Sequence, residues 1–352
     1  KDAGSKTTFQ YLKMFLKKGY VVKFIGDNYL HEEPYTSTLQ QMGIEVLYGQ
    51  EYLTGIWDWL VKNGKDIHVA YLNRPHIATK YVDFIKEHTD IKMIYYGHDL
   101  HFMREFREYE LTGDVKKRQE SEYWKSIEFS LFHKVAVSYY PSYVEEEAIH
   151  AVDETIPVKA ITAYVYEEFL QNLNKDFAKR EGLLFVGGFA HPPNADAVLW
   201  FAKEVFPKIR EQIKVNFYIV GSKVTDEIKA LEQPGNGIIV KGFVSEEELA
   251  DLYRNCRIVV VPLRYGAGVK GKVVEAIYNG APIVTTSVGS EGIPDVEKVL
   301  LVKDQPDEFA ETVVELYKDE KRLEDLAEKT QVYIREHFSI DAAWDVIKED
   351  FE

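Results

Sequence analysis

The chain has 352 residues, of which 45% are hydrophobic and 29% are charged, as in ordinary globular proteins. This composition excludes a collagen, a coiled coil, a disordered chain and a disulfide scaffold, and the length suggests two domains. With 43 basic and 58 acidic residues the formal net charge is −15, which argues against nucleic-acid binding because phosphate contacts need a basic surface.

The single cysteine and the hydropathy indicate in which cellular compartment the protein is expected. Cys256 cannot form an internal disulfide, so the chain is not suited to an oxidising environment, and we interpret it as a small buried hydrophobe. No apolar stretch approaches the roughly 20 residues that span a bilayer, and no signal peptide is recognisable. We therefore expect a cytoplasmic protein with at most peripheral association with the inner face of the membrane.

The first half of the chain alternates helices with short strands. Apolar residues on one stripe predict an amphipathic helix over 7–18. Strands are predicted at 21–25, 45–48, 68–72, 93–96 and 135–138. A doubly wound domain normally begins with a strand, so we expect the first strand of this domain to precede Lys1.

The second half repeats this alternation more clearly. Strands are predicted at 183–187, 215–221, 237–242, 257–263 and 282–286. Helices are expected between them, and Ser245 with Glu248 forms a capping box. Strands that alternate with helices predict a parallel sheet with helices on both faces. We place an N-terminal domain at 1–165, a second domain at 166–339, and a last helix at 340–352 that returns to the first domain.

A glycine-rich loop in the second half carries the most information. Three glycines spaced as Gly-x-Gly-x-x-Gly occupy 266–271, and Glu291 follows about 20 residues later, which superficially matches a dinucleotide fingerprint. We discount that interpretation because the loop follows a late strand and contains Lys270 and Lys272. Glycines, a helix N-terminus and two lysines favour a diphosphate site. A tight turn with solvated lysines is the alternative.

The segment from Gly266 to Gly292 resembles the donor-site signature of retaining GT-B glycosyltransferases of family 4, the glycosyl transferases group 1. Three further segments follow in the order that this family uses, namely 183–198, 215–221 and 240–244. The resemblance implies an α/β GT-B fold with two Rossmann-like domains facing across a cleft. It also implies a nucleotide-sugar donor on the second domain, an acceptor on the first, and no obligatory metal or other cofactor.

The resemblance assigns Glu275 to the donor ribose, since it matches the second Glu of the family's Glu-x7-Glu motif. Glu275 lies one helical turn after Lys272, and a carboxylate there can accept two hydroxyl hydrogen bonds. Its alternative role is a surface carboxylate near a helix start. The first Glu of the motif is replaced by Ala267, and we expect the backbone N–H groups of Ala267, Gly268 and Val269 to take over its contacts.

The family's diphosphate-binding Arg and Lys are missing from the loop at 187–194. We expect Lys270 and Lys272 to supply this charge, with Lys270 acting in catalysis, and His191 and Asn194 to add polar contacts. The other predicted donor residues come from the start of the first helix, the base-reading loop and the lysine loop, and they are Gly4, Ser5, Gly242, Val244 and Arg264.

In the first domain, His98 corresponds to the histidine that the family places beside the donor sugar. Asp99 is expected to orient His98 or to accept a sugar hydroxyl, and His101 is a weaker candidate. Residues that end the preceding strand are expected on the acceptor side, namely Asn73, Arg74 and His76. A basic group could be a solvated helix face or could bind an acceptor phosphate or lipid headgroup, and it comprises Arg104, Arg107, Lys116, Lys117 and Arg118.

These assignments predict a hexosyl- or deoxyhexosyltransferase. It would move a sugar from a nucleoside diphosphate to a hydroxyl of a glycan, lipid-linked or protein acceptor, with retention, in glycan or surface polysaccharide biosynthesis. Stabilising the departing diphosphate would be its main catalytic task. Two alternatives stay open, a GT-B sugar-nucleotide epimerase and a non-catalytic GT-B module that binds sugar nucleotides.

Overall fold

The computed structural model describes residues 3–266 and 268–352, which form two compact α/β units. The first unit comprises the residues up to Val165 together with Ala343–Glu352, and the second comprises Tyr166–Ala342. Among the described residues, every helix is too short or too polar to cross a lipid bilayer.

The first unit contains two parallel sheets. Its strands are β1 Lys23–Ile25, β2 Glu45–Leu47, β3 Val69–Asn73, β4 Lys92–Tyr96, β5 Val137–Tyr140 and β6 Val158–Ala160. Its helices are α1 Ala3–Lys17, α2 Tyr35–Gln41, α3 Gln50–Asn63, α4 Pro75–His88, α5 His101–Thr112, α6 Val115–Phe132 and α7 Tyr143–His150. Strand β1 pairs with β2, and the other strands form one sheet in the order β3-β4-β5-β6. In the described part of the chain no strand precedes α1.

Tyrosines fill the centre of the first unit. Tyr95 and Tyr96 on β4 and Tyr139 and Tyr140 on β5 are all fully buried, as expected for strands of a parallel sheet covered on both faces. The C-terminal segment of the chain packs against this sheet. Asp350 accepts hydrogen bonds from the Tyr139 hydroxyl at 2.6 Å and from Lys159 Nζ at 2.7 Å.

The second unit is built on one six-stranded parallel sheet. Its strands are β7 Leu183–Val186, β8 Phe217–Val220, β9 Ile238–Gly242, β10 Ile258–Val261, β11 Ile283–Thr285 and β12 Leu300–Val302. Its helices are α8 Pro192–Trp200, α9 Phe206–Gln212, α10 Asp226–Lys229, α11 Glu246–Asn255, α12 Gly271–Tyr278, α13 Ser287–Ser290, α14 Pro306–Lys318 and α15 Glu320–Phe338. A last helix, α16 Ile340–Ile347, runs across the division between the units.

Between α8 and α9 the backbone forms a π-helical turn at Phe201–Val205. Pro207 follows two residues later and has no N–H to continue the α-helical hydrogen bonds, which explains the change in winding. The capping box is observed, since Ser245 Oγ accepts the backbone N–H of Glu248 at 3.1 Å.

The sheet order of the second unit is β12-β11-β10-β7-β8-β9. The first strand, β7, therefore lies beside the fourth, β10, and the chain progresses outward in opposite directions from this pair. Open α/β sheets bind ligands at the carboxyl ends of such a pair, where the two following loops diverge.

Candidate functional site

The loops after β7 and β10 form the candidate site of the second unit. The loop after β7 leads through Gly187 and His191 into α8, and the loop after β10 leads through Gly266 into α12. Lys270 is the N-cap residue of α12 and Lys272 lies in its first turn. Both lysines therefore lie at the positive end of a helix dipole, at the point where the sheet order reverses.

Lys272 is held between these two loops. Its ammonium donates a hydrogen bond to Asn194 Oδ1 and lies 4.9 Å from the centre of the Phe185 ring. Asn194 is only 5% exposed, and its Nδ2 donates to the Gly188 carbonyl at 2.7 Å. A Cβ atom on Gly187 would come within 3.0 Å of the Asn194 amide and 3.1 Å of Lys272 Nζ. Glycine at 187 is thus what leaves room for the lysine.

Positive charge dominates this pocket. Among residues 3–266 and 268–352 no carboxylate lies within ion-pair distance of the Lys272 ammonium. Burial, and after it the charge of Lys270, lowers the pKa of Lys272 from 10.5 to about 7. Burial and then the two lysines also lower the pKa of His191. A bound anion would relieve this imbalance, and a helix N-terminus with free N–H donors suits a phosphate.

Lys270 has a different environment from Lys272. Its ammonium donates to the Gly268 carbonyl and lies 3.3 Å from Glu291 Oε2, in a pair whose side chains are only 10% and 20% exposed. The backbone of this loop needs glycine, because Gly266 and Gly268 have φ values of 137° and 71°. Ala267, predicted to contact the donor through its N–H, lies outside the described residues.

Arg264 and Val269 complete the predicted lysine loop. The Arg264 guanidinium forms a bidentate pair with the Asp196 carboxylate of α8, with Nε 2.8 Å from Oδ2, and lies 6.0 Å from the centre of the Trp200 ring. This arginine ties the start of the loop to α8, and its contact with the donor stays a prediction. Val269 is partly exposed beside the N-cap residue of α12.

The remaining donor candidates of the second unit lie at the same sheet edge. Glu275, on α12, faces the hydroxyl of the buried Tyr253, whose pKa is raised well above 10 by burial and then by the Glu275 charge. Gly242 ends β9 with φ 71°, and its carbonyl accepts the N–H of Gly221 at 2.8 Å. Val244 follows and is partly buried.

In the first unit, polar side chains gather at the carboxyl ends of β3 and β4. His98 has φ 56°, its Nε2 lies 3.1 Å from Asn73 Oδ1, and its ring packs 4.4 Å from that of Tyr96. The predicted catalytic histidine and the predicted acceptor residue are thus in direct contact. The Asp99 carboxylate forms an ion pair with Arg104.

The other first-unit candidates are spread around this edge. Gly4 and Ser5 lie in the first turn of α1, and Arg74 precedes α4 with φ 64°. The pKa of His76 is lowered, first by burial and then by the charge of Arg74. Of the predicted basic group, Lys117 lies among three carboxylates, 2.7 to 3.2 Å away, on Glu105, Glu108 and Glu120. This surrounding favours a paired helix surface over a phosphate site.

Known proteins share the fold and part of the sequence. Residues 180–319 match the family model Glycosyl transferases group 1. A Klebsiella pneumoniae relative, described as an uncharacterized 44.6 kDa protein in the cps region, is 29% identical over 184 residues, which are 50% of this chain and 45% of that protein. The chain thus spans less than half the length of this relative.

Comparison with solved structures identifies the fold. Sucrose-phosphate synthase from Thermosynechococcus elongatus superposes with a TM-score of 0.68 at 14% identity, over 99% of this chain and 92% of that chain. HepE from Anabaena, in complex with UDP, gives a TM-score of 0.68 at 14% identity, over 97% and 95%. The chain has the GT-B fold. This result confirms the GT-B resemblance, and the family match places the group 1 glycosyltransferase signature in the second unit.

Sequence reasoning missed one buried group in this GT-B chain. Glu128 of α6 is fully buried, and its carboxylate accepts the backbone N–H groups of His101 at 2.9 Å and Phe102 at 3.1 Å. It therefore caps α5, immediately after the His98 loop. Burial lowers the pKa of His101, but Glu128, 3.3 Å from Nδ1, and Asp99 outweigh burial and raise it above 6.5. The only sequence signal was an acidic residue flanked by Ile127 and Phe129.

Within the described ranges, no group of three or more His, Cys, Asp or Glu side chains could hold a metal ion. Cys256 is buried, and burial raises the pKa of its thiol to about 11, which disfavours the reactive thiolate.

Proposed function

We propose that this chain transfers a sugar from a nucleoside diphosphate to a hydroxyl acceptor, with retention, in the biosynthesis of a glycan or surface polysaccharide. The group 1 family match and the GT-B fold support glycosyl transfer as the reaction class. The relative in a cps region supports a polysaccharide setting. The observation that carries the proposal is the Lys272 ammonium, which is partly buried, belongs to the first turn of α12 and has no carboxylate partner in the described chain.

A departing nucleoside diphosphate gains negative charge as the bond to the sugar breaks, so catalysis requires positive charge fixed beforehand near the phosphates. Lys272 uses one of its three N–H donors on Asn194, and the described residues offer no partner for the other two. Lys272 lies in the first turn of α12, and the N–H groups at the start of a helix suit a phosphate. Glu275, one turn further along α12, is the residue that we assign to the ribose hydroxyls.

We assign Glu291 as the residue whose carboxylate contacts the donor sugar. Position 267 is alanine, so it offers no carboxylate, whereas Glu291 directly follows α13, the short helix after β11, which is the neighbour of β10. The Glu291 carboxylate is 20% exposed and lies 3.3 Å from Lys270 Nζ, which brings it to the lysine loop. A carboxylate accepts hydrogen bonds from sugar hydroxyls, and its pairing with Lys270 reduces its repulsion of the diphosphate. In the first unit, His98 is the group that we assign to the transfer step.

Donor hydrolysis tests the proposal. The protein is incubated with UDP-, GDP- and dTDP-sugars, and the released nucleoside diphosphate is measured. We expect slow hydrolysis of at least one donor by the parent, and its loss in Lys272→Ala although this variant remains folded at the assay temperature. Lys229→Ala, which removes an exposed lysine of α10, is the matched control and should behave as the parent does.

Three other results would contradict the proposal. Tight nucleotide binding with no turnover of any donor would favour a non-catalytic module. Conversion of the donor sugar without nucleotide release would favour an epimerase. A product with inverted anomeric configuration, seen by NMR once an acceptor is found, would contradict retention.

A further inference from the structure

We propose that Asn194 is a positioning residue that holds the Lys272 ammonium in place for the donor diphosphate, rather than a donor contact itself. This inference rests on the proposed function. The sequence predicts that Asn194, at the start of a helix beside the site, contacts the donor directly. In the structure both ends of its side-chain amide are engaged within the protein.

The contacts of Asn194 fix its orientation. Oδ1 accepts from Lys272 Nζ, Nδ2 donates to the Gly188 carbonyl at 2.7 Å, and the backbone N–H bonds to the His191 carbonyl at 3.0 Å. With 5% of the residue exposed, little of the amide is accessible to a ligand. A lysine side chain has four rotatable bonds, so a rigid acceptor on one side and the Phe185 ring on the other greatly restrict where its charge can lie.

The choice of an amide has an electrostatic consequence. A carboxylate at position 194 would also accept from Lys272, but it would neutralise the ammonium and compete with the phosphates for it. It would also face the Gly188 carbonyl without a proton to donate. A neutral amide holds the ammonium and leaves its charge for the ligand. The contrast lies two residues away, where Lys270 is held by the Glu291 carboxylate and the charge is already balanced.

The experiment measures the affinity for UDP and GDP by calorimetry in Asn194→Ala, Asn194→Asp, Lys272→Ala and the double variant Asn194→Ala/Lys272→Ala. We expect each single variant to weaken binding of the preferred nucleotide about tenfold or more, while binding of the corresponding nucleoside changes less than about twofold. When Lys272 is already alanine, the further change Asn194→Ala should weaken nucleotide binding less than about twofold. A residue that acts through Lys272 then has no ammonium left to position.

The pH profile separates positioning from a structural role. The charged and titratable groups that face Lys272 are Lys270 and His191, and the pKa of His191 is lowered from 6.5 by burial and by the two lysines. Affinity of the parent for the diphosphate should therefore fall between about pH 7 and pH 9 as the Lys272 ammonium loses its proton. In Asn194→Asp the added carboxylate raises the pKa of Lys272, so the fall should move to higher pH. A purely structural asparagine would leave the profile unchanged.

Asn236→Ala is the matched control. Asn236 also bridges two backbone groups, donating to the Leu231 carbonyl at 2.7 Å and accepting the Ile238 N–H at 2.9 Å, but it lies away from the lysines. The substitution Asn236→Ala should lower the melting temperature and leave nucleotide affinity intact. If Asn194→Ala fails to fold, the isosteric Asn194→Asp carries the test.

The outcomes separate this inference from the proposed function. A parent that binds no nucleoside diphosphate overturns both. Loss of binding in Lys272→Ala but not in either Asn194 variant overturns only the role of Asn194. An effect of Asn194→Ala that is fully additive with Lys272→Ala also overturns it, because Asn194 would then contact the nucleotide independently.

Discussion

Replacing Lys272 with methionine should stabilise the ligand-free protein and abolish its affinity for nucleoside diphosphates. Burial lowers the pKa of Lys272 from 10.5 to about 7. At about 1.4 kcal/mol for each pKa unit, holding this group in the folded protein costs up to about 4 kcal/mol at pH 7. Loss of the hydrogen bond from Lys272 to Asn194 Oδ1 costs about 1–3 kcal/mol, so the free energy of unfolding should still rise by about 1–3 kcal/mol. Methionine also packs well against the Phe185 ring.

The sign of the pH dependence follows from the same pKa. Between about pH 7 and pH 10 the unfolded chain binds a proton at Lys272 that the folded chain has released, so the folded parent gains stability as pH rises through this window. The advantage of Lys272→Met should therefore be largest at and below pH 7 and should nearly vanish by about pH 10. Melting temperatures at several pH values, with and without saturating UDP, measure both effects.

Lys270→Met is the matched control, two residues away. Lys270 is paired with Glu291 in a largely buried contact, so its removal leaves a carboxylate without this partner and should lower the melting temperature. The two variants change the same residue type in the same loop and are predicted to move stability in opposite directions. Equal losses in both, or a lower melting temperature of Lys272→Met at every pH, would refute the reasoning from burial.

Three further predictions concern the other groups. Glu275→Gln should preserve the melting temperature and weaken binding of uridine and UDP by a similar factor in calorimetry, because a charged acceptor of ribose hydroxyls becomes a neutral one. His98→Asn, chosen because Asn tolerates the left-handed backbone, should cut turnover at least about tenfold, or about 1.4 kcal/mol, with UDP affinity unchanged; full specific activity would contradict this role. Glu128→Gln should lower the pKa of His101 measured by NMR, and it should remove the stability that this ion pair contributes below about pH 6.5.

The sequence predicted the fold well where strands are long and buried. The runs around β7 and β10 are apolar throughout, and such runs between helices indicate a parallel sheet. It did not predict β6 or β12. Each has only three residues and lies at an edge of its sheet, and an apolar pattern of this length is ambiguous by itself, although the equally short β1 and β2 were predicted.

In the candidate site, the sequence predicts features that depend on local structure but not those that depend on tertiary contacts. Gly-x-Gly-x-x-Gly followed by a helix placed Lys270 and Lys272 at one helix start, because loop chemistry and helix dipoles are local. Glu128 could not be found in this way. Its function depends on α6 packing against the start of α5, a tertiary contact in which the carboxylate meets N–H groups 26 and 27 residues earlier in the chain.

Lys270 and Lys272 also differ through tertiary contacts, although in the sequence they look equivalent. They are two residues apart, so at about 100° per residue on a helix their side chains leave it in different directions. One meets Glu291, 21 residues later, and the other meets Asn194, 78 residues earlier. A lysine beside a carboxylate stabilises the loop whether or not a ligand is present. A lysine beside an amide keeps, in its protonated form, an unbalanced charge that an anionic ligand neutralises. A sequence with aspartate at 194 would keep the same glycine and lysine spacing, yet it would lose the charge imbalance on which diphosphate binding is proposed to depend.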